Sequence, residues 1–168
     1  MHKELANIEE GLINQFINEA LVFNQKHNIF IRANKEEVVE KDILDCMPLV
    51  EKIKTKEKIL DLGSGGGFPG IVLAILRPES QIHLLEKSQK NTLEKYTVIT
   101  ARAFSSTKNI LALTKNNLTK NGRYLLLKGR SEKIEEEITA INTNNYKCEI
   151  IKVENKKYER HIVQITKK

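Results

Sequence analysis

Tryptophan is absent from this chain, aromatic residues together make up 5% of it, and cysteine occurs twice. Each shortage excludes something. With four Tyr and five Phe there is no aromatic run on which successive bases could stack. Cys46 and Cys148 lie far apart and form no CxxC pair, so both are predicted to be free thiols and not part of a disulfide framework. His2, His27, His83 and His161 are equally scattered, and no metal site is predicted. No apolar run approaches the ~20 residues that span a bilayer. The opening MHKELANIEEGLINQF is broken by charges and lacks the apolar core of a signal peptide, so the expectation is a cytoplasmic protein with no membrane attachment. Internal repeats and low-complexity linkers are missing as well.

What is present fits one folded domain, expected over residues 1–168 as a helical layer (1–54) and an α/β core (55–168). The chain has 168 residues, 40% of them hydrophobic, enough to bury a core. Its net charge of +6 and pI near 9.2 suit a polyanionic partner such as nucleic acid. An AT-rich genome, which favours lysine codons, would give the same balance, so charge alone does not choose a function.

Apolar residues recurring at three and four predict an amphipathic helix over 3–27 and a second over 35–52, with a polar loop, FNQKHNIFIRAN, between them. From Lys58 the rhythm changes. KILDLG reads as a short strand, PGIVLAILRP as a helix starting near Pro69, QIHLLE (81–86) and YTVITARA (96–103) as strands. SSTKNILALTKNNLTKNG (105–122) reads as one helix, RYLLLKG (123–129) as a strand and SEKIEEEITAINTNN as a helix. YKCEIIKVE and RHIVQITKK close as an antiparallel hairpin. The alternation predicts a doubly wound, mostly parallel α/β sheet with that hairpin at its end.

Five of the eight glycines fall in DLGSGGGFPG, residues 61–70, between a strand and a helix. A Walker loop is excluded, because Gly70 is followed by Ile71 and not by lysine. Gly65, Gly67 and Gly70 satisfy GxGxxG, and Glu86 lies where a ribose-binding acid belongs, so a dinucleotide site stays open. S-adenosylmethionine uses the same strand–loop–helix geometry. Asp61 at the head of the loop opposes a pyrophosphate and favours a ligand carrying an ammonium and a sulfonium. Gly63, Gly65 and Gly67 let the backbone approach it. Glu86 suits the ribose of either cofactor.

ILDLGSGGGFPGIVLAILRPES, then LLEKSQK, VITARAF and GRYLLLKG, closely resembles the RsmG (GidB) family. Members are S-adenosylmethionine-dependent methyltransferases that modify N7 of one guanine in small-subunit ribosomal RNA. FNQKHNIFI and VVEKDILDCMPLV also look like the family's N-terminal region. The resemblance implies a Rossmann-like class I methyltransferase fold, S-adenosylmethionine as cofactor, and ribosomal RNA or the 30S-type particle as partner of a monomer. It implies that Gly63 and Phe68 line the cofactor site with Asp61, Gly65 and Gly67, and that Glu86 holds the ribose. Arg102 would reach the cofactor or the RNA. Lys128 would stand at the mouth, and Asn28 and Asp45 in the helical layer facing the cleft. Guanine N7 offers a lone pair, so Arg102 and Lys128 would act by orientation and charge, with no general base and no metal.

Plainer readings stand beside these. Phe68 equally fits a staple at the helix start, Asn28 a turn, Asp45 an internal hydrogen bond and Lys128 a solvated strand end.

The chain departs from the family twice. Nine residues, KSQKNTLEK, separate Glu86 from Tyr96, where the family carries a helix, a third strand and a loop that touches the adenine. A seam is expected near Lys90–Thr92, from a true deletion or, the reading favoured here, from residues missing between the two halves. Asp42 stands where the family has a histidine. Two other functions therefore stay open, an RNA- or ribosome-binding remnant without catalysis and an NAD-linked oxidoreductase.

Overall fold

The KILDL stretch forms β1 (Lys58–Leu62), and β-branched and leucine-rich runs like it build the rest of one six-stranded sheet. The computed structural model describes residues 2–86, 94–141, 144–154 and 158–168. The further strands are β2 (Gln81–Leu85), β3 (Tyr96–Arg102), β4 (Leu118–Lys128), β5 (Tyr146–Val153) and β6 (Arg160–Lys167), in the order β2-β1-β3-β4-β6-β5. β1 to β4 run parallel. β6 runs antiparallel to β4, and β5 to β6, as the terminal hairpin requires.

Helices cover both faces. On one lie α1 (His2–His27), the layer α2 (Lys35–Val38) and α3 (Leu44–Lys52), and α4 (Gly70–Leu76). Their apolar sides meet the sheet in one cluster that joins Ile17, Val38 and Leu49 to Ile59, Val98 and Leu125. On the other face α5 (Thr107–Thr114) and α6 (Ser131–Thr139) pack on Leu60, Ile99 and Leu126. Strand alternation explains the division, since neighbouring residues of each strand point to opposite clusters.

The helix expected over 35–52 forms with one irregularity. Asn34 caps it by accepting from the Glu37 amide (2.9 Å), while the Glu37 carboxylate accepts from the Ala33 amide (2.7 Å). Between α2 and α3, Val39–Ile43 form a π-helical turn.

The single helix expected over 105–122 is corrected. α5 ends at Thr114 and β4 begins at Leu118, whose side chain is 4% exposed in the core below the sheet. Asn, Thr and Gly in NNLTKNG are weak helix formers, so pairing with Tyr96 of β3 prevails. β2 lies at the sheet edge and is joined to β3 through residues 86–95. The expected seam near Lys90–Thr92 lies outside the described residues.

Candidate functional site

The glycine loop leaves the carboxyl end of β1 and turns into α4. Gly63, Gly65 and Gly67 all have positive φ (75°, 52° and 90°), which side chains disfavour. At Gly63 an added Cβ would stand 2.2 Å from the Phe104 ring. At Gly65 it would meet nothing closer than 4.0 Å and would project into open space. Gly65 is thus the point of the loop where bare backbone faces open space. A groove of about 550 Å³ begins there, between Ser64–Gly67 and the Phe16, Ala20 and Phe23 face of α1, with Leu84 as a further wall.

Asp61 sits in β1 beneath the loop and is fully buried. Its Oδ2 accepts from the Gly70 amide (2.8 Å), and its Oδ1 has no hydrogen-bond partner among the described residues. Burial pushes its carboxyl up to about 7, against the opposing pull of the Gly70 amide and Arg102. Glu86 follows β2 and is exposed. It accepts from the Ser64 hydroxyl (2.9 Å) and from the Gly65 amide, so it is drawn onto the loop. An orphaned buried carboxylate oxygen, an open backbone cradle and an exposed acid at the loop fit a ligand with a cationic amino-acid end and a ribose. A pyrophosphate would meet two acids.

Arg102 ends β3 on the same face as Asp61. The β1–β3 register pairs Asp61 with Thr100, two residues earlier. Its guanidinium lies over the Phe68 ring, 5.0 Å from the centroid, and its Nη1 donates to Asp42 Oδ1 (2.7 Å). Asp42 is fully buried and also accepts from Arg32, Nε to Oδ2 at 2.7 Å and Nη2 to Oδ1 at 3.0 Å. One turn on, Asp45 accepts from Arg160 Nε (2.7 Å), while its Oδ1 is buried without a partner among the described residues. Cys46, next after Asp45, is buried and its thiol donates to the Asp42 carbonyl (3.0 Å); burial pushes that thiol up. Ala103, next after Arg102, has φ 53°, a strained turn that carries Phe104 back onto Gly63.

Several expected positions fall elsewhere. Phe68 is 2% exposed and packs between Phe16 and Phe30 (centroids 5.1 and 6.2 Å), in the stapling place and not on the cleft. Lys128 is not beside Arg102. The register pairs Arg102 with Leu127, and the next residue of a pleated strand points to the opposite face. There its ammonium donates to Glu137 Oε2 (2.8 Å) and to the Ser105 carbonyl (3.1 Å). Asn28 is exposed with φ 47° and closes the end of α1, its amide donating to the Asn24 carbonyl (3.0 Å). Asp45 does lie in the helical layer and is bound by Arg160.

The sequence reading did not include Arg32 or Ser64, and it noted Asp42 only as a departure. The signal for Asp42 was its place: an acid on the apolar side of VVEKDILDCMPLV needs a buried cation.

The family model of rRNA small subunit methyltransferase G, GidB, matches residues 9–93 and 88–163. The two stretches overlap in SQKNTL (88–93). A ribosomal RNA small subunit methyltransferase G of Brachyspira hyodysenteriae is 33% identical over 187 residues, covering 95% of this chain and 91% of its own length. That alignment exceeds 95% of 168 residues by about 27 positions, so more than two dozen of its positions face a gap in this chain. Among solved structures, a precorrin-6y C5,15-methyltransferase from Geobacter metallireducens superposes with TM-score 0.58 at 11% identity, over 80% of this chain and 93% of its own. A TehB-like SAM-dependent methyltransferase from Corynebacterium glutamicum gives TM-score 0.52 at 14% identity, over 90% and 99%. These likenesses show the α/β methyltransferase fold. The oxidoreductase reading finds no counterpart among them.

Proposed function

This chain belongs to the family of rRNA small subunit methyltransferase G, and from that membership we propose that it transfers a methyl group from S-adenosylmethionine to N7 of a guanine in small-subunit (16S) ribosomal RNA. The observation that carries the reading is the family match from residue 9 to 163, through the glycine loop and the ends of β2, β3 and β4.

When bound, S-adenosylmethionine supplies an electrophilic methyl group on a sulfonium. The chain's own residues bind and orient. The free Oδ1 of Asp61 favours the cationic amino-acid end, and the bare backbone at Gly65 allows close approach, with Gly63 and Gly67 shaping the loop beneath it. Glu86, freed from Ser64 and Gly65, would accept from the ribose hydroxyls. Arg102 stands at the same edge. The guanine N7 lone pair needs no base, so the rate comes from in-line placement of base and methyl donor. The target base must leave its stack to reach the site. Lys128 contributes by holding α5 and α6 to β4. The helical layer (1–54) and the core (55–168) act as one domain, supported by their shared apolar cluster. A ribosomal substrate supports a cytoplasmic enzyme, and we take it to act as a monomer. No described helix is long and apolar enough to cross a membrane.

The test is methyl transfer from labelled S-adenosylmethionine to small subunits lacking the modification, followed by nuclease digestion and mass spectrometry. A 7-methylguanosine at one site is expected. A chain that binds the cofactor yet transfers nothing would favour the second reading, an RNA-binding remnant, which the gapped positions in the alignment to the Brachyspira hyodysenteriae relative support.

A further inference from the structure

We propose that Asp42 is a positioning residue: clamped by Arg32, it aims Arg102 at the carboxylate of the cofactor's amino-acid end. The assignment rests on the methyltransferase reading above.

A lone buried Asp42 beside Arg102 would form a neutral pair, and Arg102 would have little attraction left for an anion. Arg32 changes that balance. Its planar fork takes both oxygens of Asp42, Nε on Oδ2 and Nη2 on Oδ1. Arg102 engages Asp42 through Nη1 alone, on the oxygen it shares with Arg32. Two guanidinium groups on one carboxylate leave one positive charge. Arg32 also donates through Nη1 to the Ile31 carbonyl, so most of its donors are occupied. Of the five N–H groups of Arg102, one is engaged among the described residues. The unspent charge and the unspent donors therefore belong to Arg102.

Its orientation is fixed in two directions. The Phe68 ring lies under the guanidinium face at 5.0 Å, and Asp42 holds one corner. Both side chains are buried or nearly so, Asp42 at 0% and Phe68 at 2%, while the Arg102 side chain is 22% exposed. Phe68 directly follows Gly67, so the stack ties Arg102 to the glycine loop. Asp61 lies on the same sheet face, its Oδ1 has no hydrogen-bond partner among the described residues, and it is near enough for the Arg102 charge to act on it. An acid and an arginine so placed match a zwitterion: Asp61 for the ammonium and Arg102 for the carboxylate.

The test is titration calorimetry with S-adenosylmethionine and with decarboxylated S-adenosylmethionine, which keeps the ammonium and sulfonium and lacks the carboxylate. Asp42→Asn and Arg102→Gln should each weaken S-adenosylmethionine about tenfold, the equivalent of about 1.4 kcal/mol. Combined, they should be no weaker than the worse single variant, because both act through one group. Neither should alter binding of the decarboxylated compound, a selectivity that a general loss of structure would not produce. Should Asp42→Asn fail to fold, Arg32→Ala, on the outer side of the clamp, should show the same selectivity. Additive losses, equal losses for both compounds or no loss would overturn the assignment while leaving cofactor binding intact. A wild-type chain that binds neither compound would overturn the cofactor reading and this assignment together.

Discussion

Two glycines of one loop separate folding from binding. Gly63 needs its positive φ and has the Phe104 ring against it, so Gly63→Ala is expected to cost about 1–3 kcal/mol. Gly65 shares the backbone conformation but faces open space, so Gly65→Ala should cost about 1 kcal/mol and chiefly obstruct the cofactor. Thermal unfolding and calorimetry on both variants should show the larger fall in Tm for the first; the reverse order would contradict the placement of Phe104. Asp61 gives a pH signature. Its carboxyl lies at about 7 in the fold, against 3.8 without burial, so the proton it holds stabilises the native state fully below about pH 4. That contribution is lost as pH rises through 7. Asp61→Asn should therefore melt higher than wild type at pH 8, the difference shrinking to nothing near pH 4, while its affinity for S-adenosylmethionine falls. A Tm difference independent of pH would argue that Asp61 is ionised throughout. The glycines and Asp61 were legible because their types announce their chemistry. The Arg32–Asp42–Arg102 cluster was not, because residues ten and sixty positions apart meet only through the turn at 28–34 and the end of β3.

At the scale of elements, the Lys128–Glu137 contact joins strand to helices. Glu137 Oε2 accepts from the Thr107 amide (2.9 Å), the Thr107 hydroxyl (2.6 Å) and Lys128 (2.8 Å), pinning the start of α5 and the body of α6 to the end of β4. Burial raises its carboxyl, but these donors together hold it below its ordinary value. Glu137→Ala is expected to lower stability by about 1–3 kcal/mol, since it strips three donors of their partner, and Lys128→Met by less. Denaturant melts of the two variants check the order; equal and negligible losses would show that the contact holds nothing. The strands, α4 and the terminal hairpin could be read from periodicity and punctuation. The boundary between α5 and β4 could not, because LALTKNNL repeats at a helical spacing while Leu118 is claimed by a partner strand twenty-two residues earlier. Propensity yields there to a tertiary contact, as it does wherever a long-range pair buries a large side chain. The π-helical turn left no mark in composition at all.

Across the whole molecule, β2 is a five-residue edge strand, paired to β1, with Leu84 40% exposed. β3 and β4 lie between two partners each and hold five of the twelve largest fully buried side chains, Tyr96, Ile99, Tyr124, Leu125 and Leu126. Hydrogen exchange should therefore be fastest through Gln81–Leu85 and slowest through β3 and β4; equal protection would show that the edge is covered. The fold class was legible because sheet order follows from alternation of strands and helices. Length matters too, one residue at a time. A π-helical turn holds one residue more than an α-helix needs, so the stretch VEKDI amounts to a single-residue insertion in helix 35–52. Losing any one of the residues before Asp42 would restore ordinary winding and swing all that follows by about 100° relative to the Asn34 cap. Asp42 and Asp45 would then leave Arg102 and Arg160 together.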